Sequence, residues 1–463
     1  METQNTRLLL ALLFTGTLMG ALDLAIIGPA LPVIQAEFGM QQRELAGLIN
    51  SYTLLQMIGA LLLAKLADRR GPRIIYMASV ILFAAGSLLL VMADATWMLY
   101  LGRALQGFGA GGFFPASAAV IGARLPRAER GPALGILGMV WGVAFIAGPI
   151  LGGIFLRFSW QWLFAINLPI AAVLIVGSMK LLPTDRAREP LPFDLRGMLM
   201  LLVAMAALVM AITGIDTVAP LDSLLTPRVG GGLVLLALLT IIFWQMEKQA
   251  HDPIVRPALF ASSQIRKSCA ISTGVSAVQS GSIFLPALLV AALKISPANS
   301  ALLLLPGVVA ATFSAPVVGR LINRVGTRLI IVIAQLLVLG ALTIYAFTNL
   351  TIATFLFASV MSGIGSAGLV GAPLRFIVLA ETGNQDRASA QGLLSVSSSV
   401  GRLMGASAVG AVAASQGGGV AGYQAAFTGL AMLAVLIMLT AMTLKSKALE
   451  QSDAAHPAEP AAH

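Results

Sequence analysis

The sequence predicts an all-α polytopic membrane protein built from two related six-helix bundles with two extra helices between them. Three observations predict it. First, the 463 residues are 58% hydrophobic and only 10% charged, with a mean hydropathy of +0.91, a balance that excludes a water-soluble globular domain. Second, apolar runs of about 20 residues, the length that crosses a bilayer, recur along nearly the whole chain. Third, a short basic loop is written twice. Ala64-Lys65-Leu66-Ala67-Asp68-Arg69-Arg70-Gly71-Pro72-Arg73 returns as Gly319-Arg320-Leu321-Ile322-Asn323-Arg324-Val325-Gly326-Thr327-Arg328, 255 positions later. Weak internal symmetry of this kind marks transporter folds.

Fourteen spans follow from the apolar runs. The first six cover about Leu8–Ile34, Leu45–Leu66, Ile74–Met92, Trp97–Ile121, Ala133–Phe155 and Trp162–Leu182. The first run is long enough to span by itself, so it reads as a helix and not as a cleavable leader. The repeat offset exceeds half the chain, which requires an insertion; two extra spans, about Gly197–Ile215 and Val229–Met246, supply it. The last six cover about Ser268–Leu293, Ala301–Ile322, Leu329–Phe347, Thr351–Leu374, Ala388–Ala414 and Gly422–Leu444. The expected organisation is a first bundle over residues 1–182, a linker with the extra pair over 183–267, a second bundle over 268–445, and a disordered tail over 446–463.

Lys and Arg set the orientation. One side of this topology holds Arg7, the loop from Lys65 to Arg73, Arg124, Arg127 and Arg130, the linker arginines, Arg266, Lys267, Arg320, Arg324, Arg328, Arg375, Arg387 and Lys445. The other holds only Arg43, Arg157, Arg228 and Lys294. The positive-inside rule then places both termini in the cytoplasm and accounts for the net charge of +10 without nucleic acid. The single cysteine, Cys269, excludes an internal disulfide.

Charged groups at membrane depth cost roughly 2.5–3.5 kcal/mol on insertion scales and are functional candidates by default. Three stand out: Asp23 in span 1, Arg103 in span 4 and Arg402 in span 11. Desolvation opposes the charged form of a carboxyl, and an approaching arginine favours it. Asp23 therefore suits a group that binds and releases a proton, with Arg103 as its natural partner. The alternative is a permanent buried ion pair that holds span 1 in place. Gln106 and Gly107 share the face of Arg103.

Gln391, Ser395, Ser398 and Arg402 fall at i, i+4, i+7 and i+11, one face of span 11, and Ser272, Ser276 and Gln279 form a shorter stripe on span 7. With Asn50, Tyr52 and Gln56 of span 2 and with Gln106, these stripes are the candidate lining of a substrate cavity. The competing reading of the serines is close helix packing. In span 5, Gly131, Gly135, Gly138 and Gly142 repeat at i, i+4, i+7 and i+11 and lead into Gly148-Pro149-Ile150-Leu151-Gly152-Gly153. This composition predicts a smooth, bent helix able to pack backbone to backbone against a partner.

These residues resemble the major facilitator superfamily in its fourteen-helix drug:proton antiporter branch. The loop at Ala64–Arg73 is similar to that superfamily's motif A, with Ala64 for the usual first glycine and Asn323 for a common aspartate in the second copy. Leu101-Gly102-Arg103-Ala104-Leu105-Gln106-Gly107 is similar to motif B, and Gly138–Gly153 to motif C of antiporters. Leu22-Asp23 through Leu31-Pro32, Trp160–Pro169 and Phe193–Gly197 are similar to segments of the fourteen-helix branch. The resemblance implies the major facilitator fold, a latch between the halves formed by Asp68, Arg69 and Arg73, and proton coupling through Asp23 and Arg103. Gly138, Gly142, Gly148, Pro149 and Gly152 form its conformational motif.

Some relatives carry an acidic residue in the middle of span 10; this chain has Met361, Gly363, Gly365 and Gly368. The expected function is proton-coupled export of amphipathic, drug-like compounds by alternating access. The alternative is a proton symporter importing a small polar solute. An enzyme is not expected: His251, His456 and His463 lie outside the spans and no nucleophile is paired with a base. No cofactor or metal is called for. The expected partners are the proton, a small lipophilic substrate and the lipid of a bacterial cytoplasmic membrane, with the chain working as a monomer.

Overall fold

A computed structural model describes residues 2–125, 127–182, 195–250, 253–254, 256–369, 372–382 and 387–445. Within them the regular structure is helical. The first half contains α1 (Glu2–Phe38), α2 (Gln42–Arg70), α3 (Pro72–Val91), α4 (Thr96–Arg124), α5 (Arg127–Phe155), the short α6 (Trp162–Ala165) and α7 (Asn167–Leu181). The inserted pair is α8 (Leu195–Gly214) and α10 (Gly232–Gln249), joined through the single turn α9 (Pro220–Leu224).

The second half contains α11 (Ser263–Ser280), α12 (Leu285–Leu293), α13 (Pro297–Leu303), α14 (Leu305–Val325), α15 (Thr327–Phe347), α16 (Ile352–Leu369), α17 (Ala372–Ala380), α18 (Arg387–Ser415) and α19 (Gly419–Met442). The proposed tail at 446–463 and the charged linker from Thr184 to Asp194 lie outside the described residues.

Twelve helical stretches among the described residues are long and apolar enough to cross a membrane. The expected spans 5 and 11 are helical over 29 residues each without joining those twelve. The apolar part of α5 among the described residues is the shorter Gly142–Phe155, and the serines, glycines and Arg402 of α18 dilute its hydropathy.

The repeated loop reappears as a repeated structure. α2 ends and α3 begins at Gly71 (φ 88°), and α14 ends and α15 begins at Gly326 (φ 84°). Each glycine donates its N–H back into the helix it ends, Gly71 to Ala67 O at 3.0 Å and Gly326 to Ile322 O at 2.9 Å. Positive φ is open to glycine at little steric cost, which explains why both copies of the loop keep one at this place.

Several spans are broken where the apolar run is continuous. The sixth divides at Ile166 into α6 and α7, and the seventh passes from α11 through a 3₁₀ turn, Gly281–Phe284, into α12. Freed backbone groups at such breaks are tolerated in a membrane when neighbouring helices enclose them. Here the turn packs on α1, and Phe284 is fully buried in the apolar cluster that also holds Ile27 and Leu31.

The halves meet through α1, α2 and α5 on one side and α12, α13, α14 and α18 on the other. The contacts concentrate at the end remote from the chain termini. Gly28 backs onto the Ile283 backbone, Gly153 onto Leu302 and Ala298, and Gly410 onto Ala46 and Gln42. Asn50 Nδ2 donates to Ser407 Oγ at 2.7 Å across the same interface. Toward the other end Phe313 is 73% and Val317 52% exposed on α14, and Gly319 has no neighbour among the described residues within 4 Å of a would-be side chain.

The inserted pair sits at the seam. α8 packs against both α2 and α18, where Met198, Leu201 and Leu208 share one apolar cluster with Met57 and Ile58 of α2 and Leu394 and Leu403 of α18. The segment that follows α8 at Ile215–Thr217 is tied to both halves as well. Arg43 Nη2 donates to Ile215 O at 3.1 Å, the Thr217 and Ser415 hydroxyls share a hydrogen bond, and Gln416 Nε2 donates to Thr217 Oγ1 at 3.3 Å. α10 turns Val234, Leu238 and Ile241 outward, each more than half exposed, as a lipid-facing helix would.

Candidate functional site: a buried charge network in the first half

Asp23 of α1 and Arg103 of α4 are 0% and 1% exposed. An isolated charge in that position would be prohibitive, and the sequence supplies a partner for each polar atom of the carboxylate. Arg103 Nη1 donates to Asp23 Oδ2 at 2.5 Å, and Gln106 Nε2 donates to Asp23 Oδ1 at 2.9 Å. The Arg103 Nη1 group also reaches Gln106 Oε1 at 3.0 Å, one turn along the same helix, so the amide both accepts from the guanidinium and donates to the acid. Gln106 Nε2 donates to Ser87 Oγ of α3 at 2.9 Å, and Asn167 Nδ2 of α7 donates to the same oxygen at 3.2 Å.

Four helices of the first half thus converge on one carboxylate. The remaining guanidinium nitrogens of Arg103, Nε and Nη2, are buried without a hydrogen bond among the described residues. The ring of Tyr52 on α2 lies 4.2 Å from the guanidinium carbon, a cation–π distance. Tyr52 is held by its hydroxyl, which donates to Gly20 O at 3.1 Å, and by Gly107, where any Cβ would collide with the Tyr52 carbonyl.

The expected substrate-cavity residues divide into two groups. Asn50, Tyr52 and Gln106 are 2%, 0% and 0% exposed and do not line an open space in this conformation. In this conformation their faces are taken by Ser407, Arg103 and Asp23, respectively. Gln56, Ser276, Gln279, Gln391, Ser398 and Arg402 are half-buried, and Ser395 is exposed. Ser398 shares a 2.8 Å hydrogen bond with Ser272 and Arg402 Nη2 donates to Ser399 Oγ at 3.0 Å.

A separate cavity of 90 Å³ inside the second half is lined by Gln279, Ser282, Tyr345, Ser362, Ser366 and Phe427, among others. Ser362 and Ser366 face it, while Gly363, Gly365 and Gly368 of the same helix pack on α14 and α15. Sequence alone does not single out Ser87, Asn167 and Ser407. Neutral polar residues inside an apolar run carry no signal that separates a network from packing, although Asn167 belongs to the segment quoted for the family resemblance.

The glycine motif of α5 lies beside the buried pair. Gly148 approaches Ala25, two residues from Asp23, so closely that a Cβ would fall 2.5 Å from the Ala25 Cβ. Gly152 faces Pro29 at 3.4 Å and Ala301 of the second half at 3.6 Å, and Gly142 faces Thr312 at 3.8 Å. Pro149 is buried. Arg73 caps α7 within its own half, donating to Met179 O at 2.8 Å. The side chains of Asp68 and Arg69, and Gly138, lie outside the described residues.

A family model described as the Major Facilitator Superfamily matches residues 13–246 and 269–461. The chain belongs to the Major Facilitator Superfamily. Among curated relatives, it is 29% identical over 406 residues to the uncharacterized MFS-type transporter YfiU of Bacillus subtilis, covering 86% of this chain and 78% of that protein. It is 29% identical over 421 residues to the multidrug transporter protein MdtP of the same organism, covering 88% and 74%. To the multidrug resistance protein Stp of Mycobacterium tuberculosis it is 28% identical, covering 89% and 76%.

Solved structures share the fold. The nucleoside transporter NupG superposes with a TM-score of 0.69 at 14% identity over 94% of this chain and 99% of that one. A bacterial homologue of the lysosomal transporter Spinster, in an inward-facing and unoccupied conformation, superposes with a TM-score of 0.66 at 16% identity over 99% of both chains. This superfamily member is a transporter and not an enzyme.

Proposed function

We propose that the protein is a proton-coupled exporter of amphipathic, drug-like compounds, working by alternating access across a bacterial cytoplasmic membrane as a monomer. The observation that carries the proposal is the placement of Asp23: a fully buried carboxyl, held by Arg103 and Gln106, on the stretch of α1 against which the α5 glycine motif packs. When Asp23 is charged, the guanidinium and the amide hold it. When it takes up a proton, the ion pair loses its attraction, and α1 and α4 are free to shift against α5 and Tyr52. A proton is thereby linked to the helices that close the halves together.

In this proposal the chain has 14 spans, two six-helix bundles at 1–182 and 268–445 with the inserted pair between them, and both termini in the cytoplasm. The excess of Lys and Arg on the terminal side supports that orientation. The contacts at the end remote from the termini then close the outer side. Motif-A residues Asp68, Arg69 and Arg73 would latch the cytoplasmic ends in the opposite state. The multidrug names of MdtP and Stp support the class of cargo. Efflux of a lipophilic dye by the purified chain in proteoliposomes, driven by an imposed pH gradient and abolished by dissipating it, is the test. Efflux driven by a sodium gradient alone would overturn the coupling ion.

A further inference from the structure

We infer that Arg402 receives an anionic group of the cargo, so that the exporter favours amphipathic acids and zwitterions over lipophilic cations. The inference rests on the transport reading above and names its cargo more closely.

The charge of Arg402 has no acidic match among the described residues. Arg402 lies fifteen residues into α18 from Arg387, about 22 Å along the helix at 1.5 Å per residue, well inside the span. An arginine at such depth pairs with an acid or faces water. Its only hydrogen bond among the described residues is to the neutral Ser399 Oγ, at 3.0 Å. Between Ser268 and Lys445 the sequence contains two carboxylates, Glu381 and Asp386. Both precede α18, and Glu381 is already engaged by Lys445 and Ser262.

The elements around Arg402 bring no acid either. Of the helices packed on α18, α11 carries Ser272, Thr273 and Ser276, α2 carries Asn50, Tyr52 and Gln56, α8 carries Met198, Leu201 and Leu208, and α19 has no acid. The one deep carboxylate of the first half, Asp23, has both oxygens occupied by Arg103 and Gln106. The charges of that pair cancel, which leaves Arg402 as the unmatched charge at this depth among the described residues. It is half-buried, on the same helix face as the exposed Ser395 and the half-buried Ser398. A planar guanidinium in a partly desolvated site matches a carboxylate or phosphate by paired hydrogen bonds.

The test uses three probes with one ring system: 1-naphthaleneacetate, the neutral 1-naphthaleneacetamide and the cation 2-(1-naphthyl)ethylammonium. Binding to the full-length protein is measured in nanodiscs of phosphatidylcholine, and transport in proteoliposomes. The wild type should bind the carboxylate about tenfold or more tighter than the amide, with the cation weakest. Arg402→Gln should erase the preference, weakening the carboxylate about tenfold or more relative to the amide, and Arg402→Lys should keep part of it.

Equal binding of acid and amide by the wild type, or an unchanged preference in Arg402→Gln, overturns the inference; the wild-type comparison stands even if the variant fails to fold. A thermal shift by phosphatidylglycerol that needs Arg402, with none by the acid, would assign the site to lipid and also overturn it. An Arg402-dependent preference for the acid that persists without any response to the pH gradient would sink the proton-coupled reading and leave this one standing.

Discussion

Gly148 of α5 rests against Ala25 of α1, two residues from Asp23, with space for no side chain between them. The residue that would carry the proton and the residue that lets two helices meet backbone to backbone therefore share one short stretch of α1. Gly152, one turn further along α5, faces both Pro29 of α1 and Ala301 of the second half, so movement of α1 is felt directly at the closure between the halves.

Gly148→Leu should consequently separate α5 from α1. Overpacking of this kind costs about 1–3 kcal/mol, and the variant should insert in the membrane at wild-type levels with a lowered melting temperature. Uphill export should be lost or the vesicles made leaky. Wild-type export rates in Gly148→Leu proteoliposomes would refute the role given to the contact.

Tyr52 supplies the only described partner for the face of the Arg103 guanidinium. Tyr52→Phe keeps the ring and loses one hydrogen bond to Gly20; Tyr52→Leu loses the cation–π contact, a difference of about 0.5–2 kcal/mol at a desolvated site. The expected order of thermal stability and of export rate is wild type, then Phe, then Leu. Equal loss in both variants would assign the role to the hydroxyl instead.

Asn50 and Ser407 join α2 to α18 at the end of the interface remote from the chain termini. Asn50→Ala should release about 1 kcal/mol of closure and shift the population toward the state open on that side. Spin labels at Arg157 and Lys294, in a Cys269→Ser background, should then report a longer distance component in double electron–electron resonance. An unchanged distribution would show that this bond does not hold the halves together.

Much of this arrangement is legible in the sequence because charges in a bilayer are conspicuous. Asp23 and Arg103 stand out in apolar runs and the structure brings them into contact, and the two copies of the basic loop give matching turns at Gly71 and Gly326. The neutral part of the network is harder to read. Ser87 and Asn167 differ little from packing residues, and the faces of Asn50, Tyr52 and Gln106 depend on which helix lies opposite, which periodicity along one helix does not encode. The breaks at Ile166 and at Gly281–Phe284 sit inside unbroken apolar runs and are set by neighbours such as α1.

The central claim is that Asp23 carries the coupled proton, and Asp23→Asn tests it most directly. The amide keeps the shape and a hydrogen-bonding oxygen while removing the titrating group, and it leaves Arg103 without its counter-charge, a loss of several kcal/mol for a buried pair. The decisive measurement compares two modes in proteoliposomes of the same preparation, after a melting curve has established that the variant is folded: exchange of labelled for unlabelled substrate at equilibrium, and accumulation against a gradient driven by pH. The account predicts that Asp23→Asn still exchanges substrate and binds it, yet no longer accumulates it. A folded variant that concentrates substrate at the wild-type rate in response to the pH gradient would contradict it.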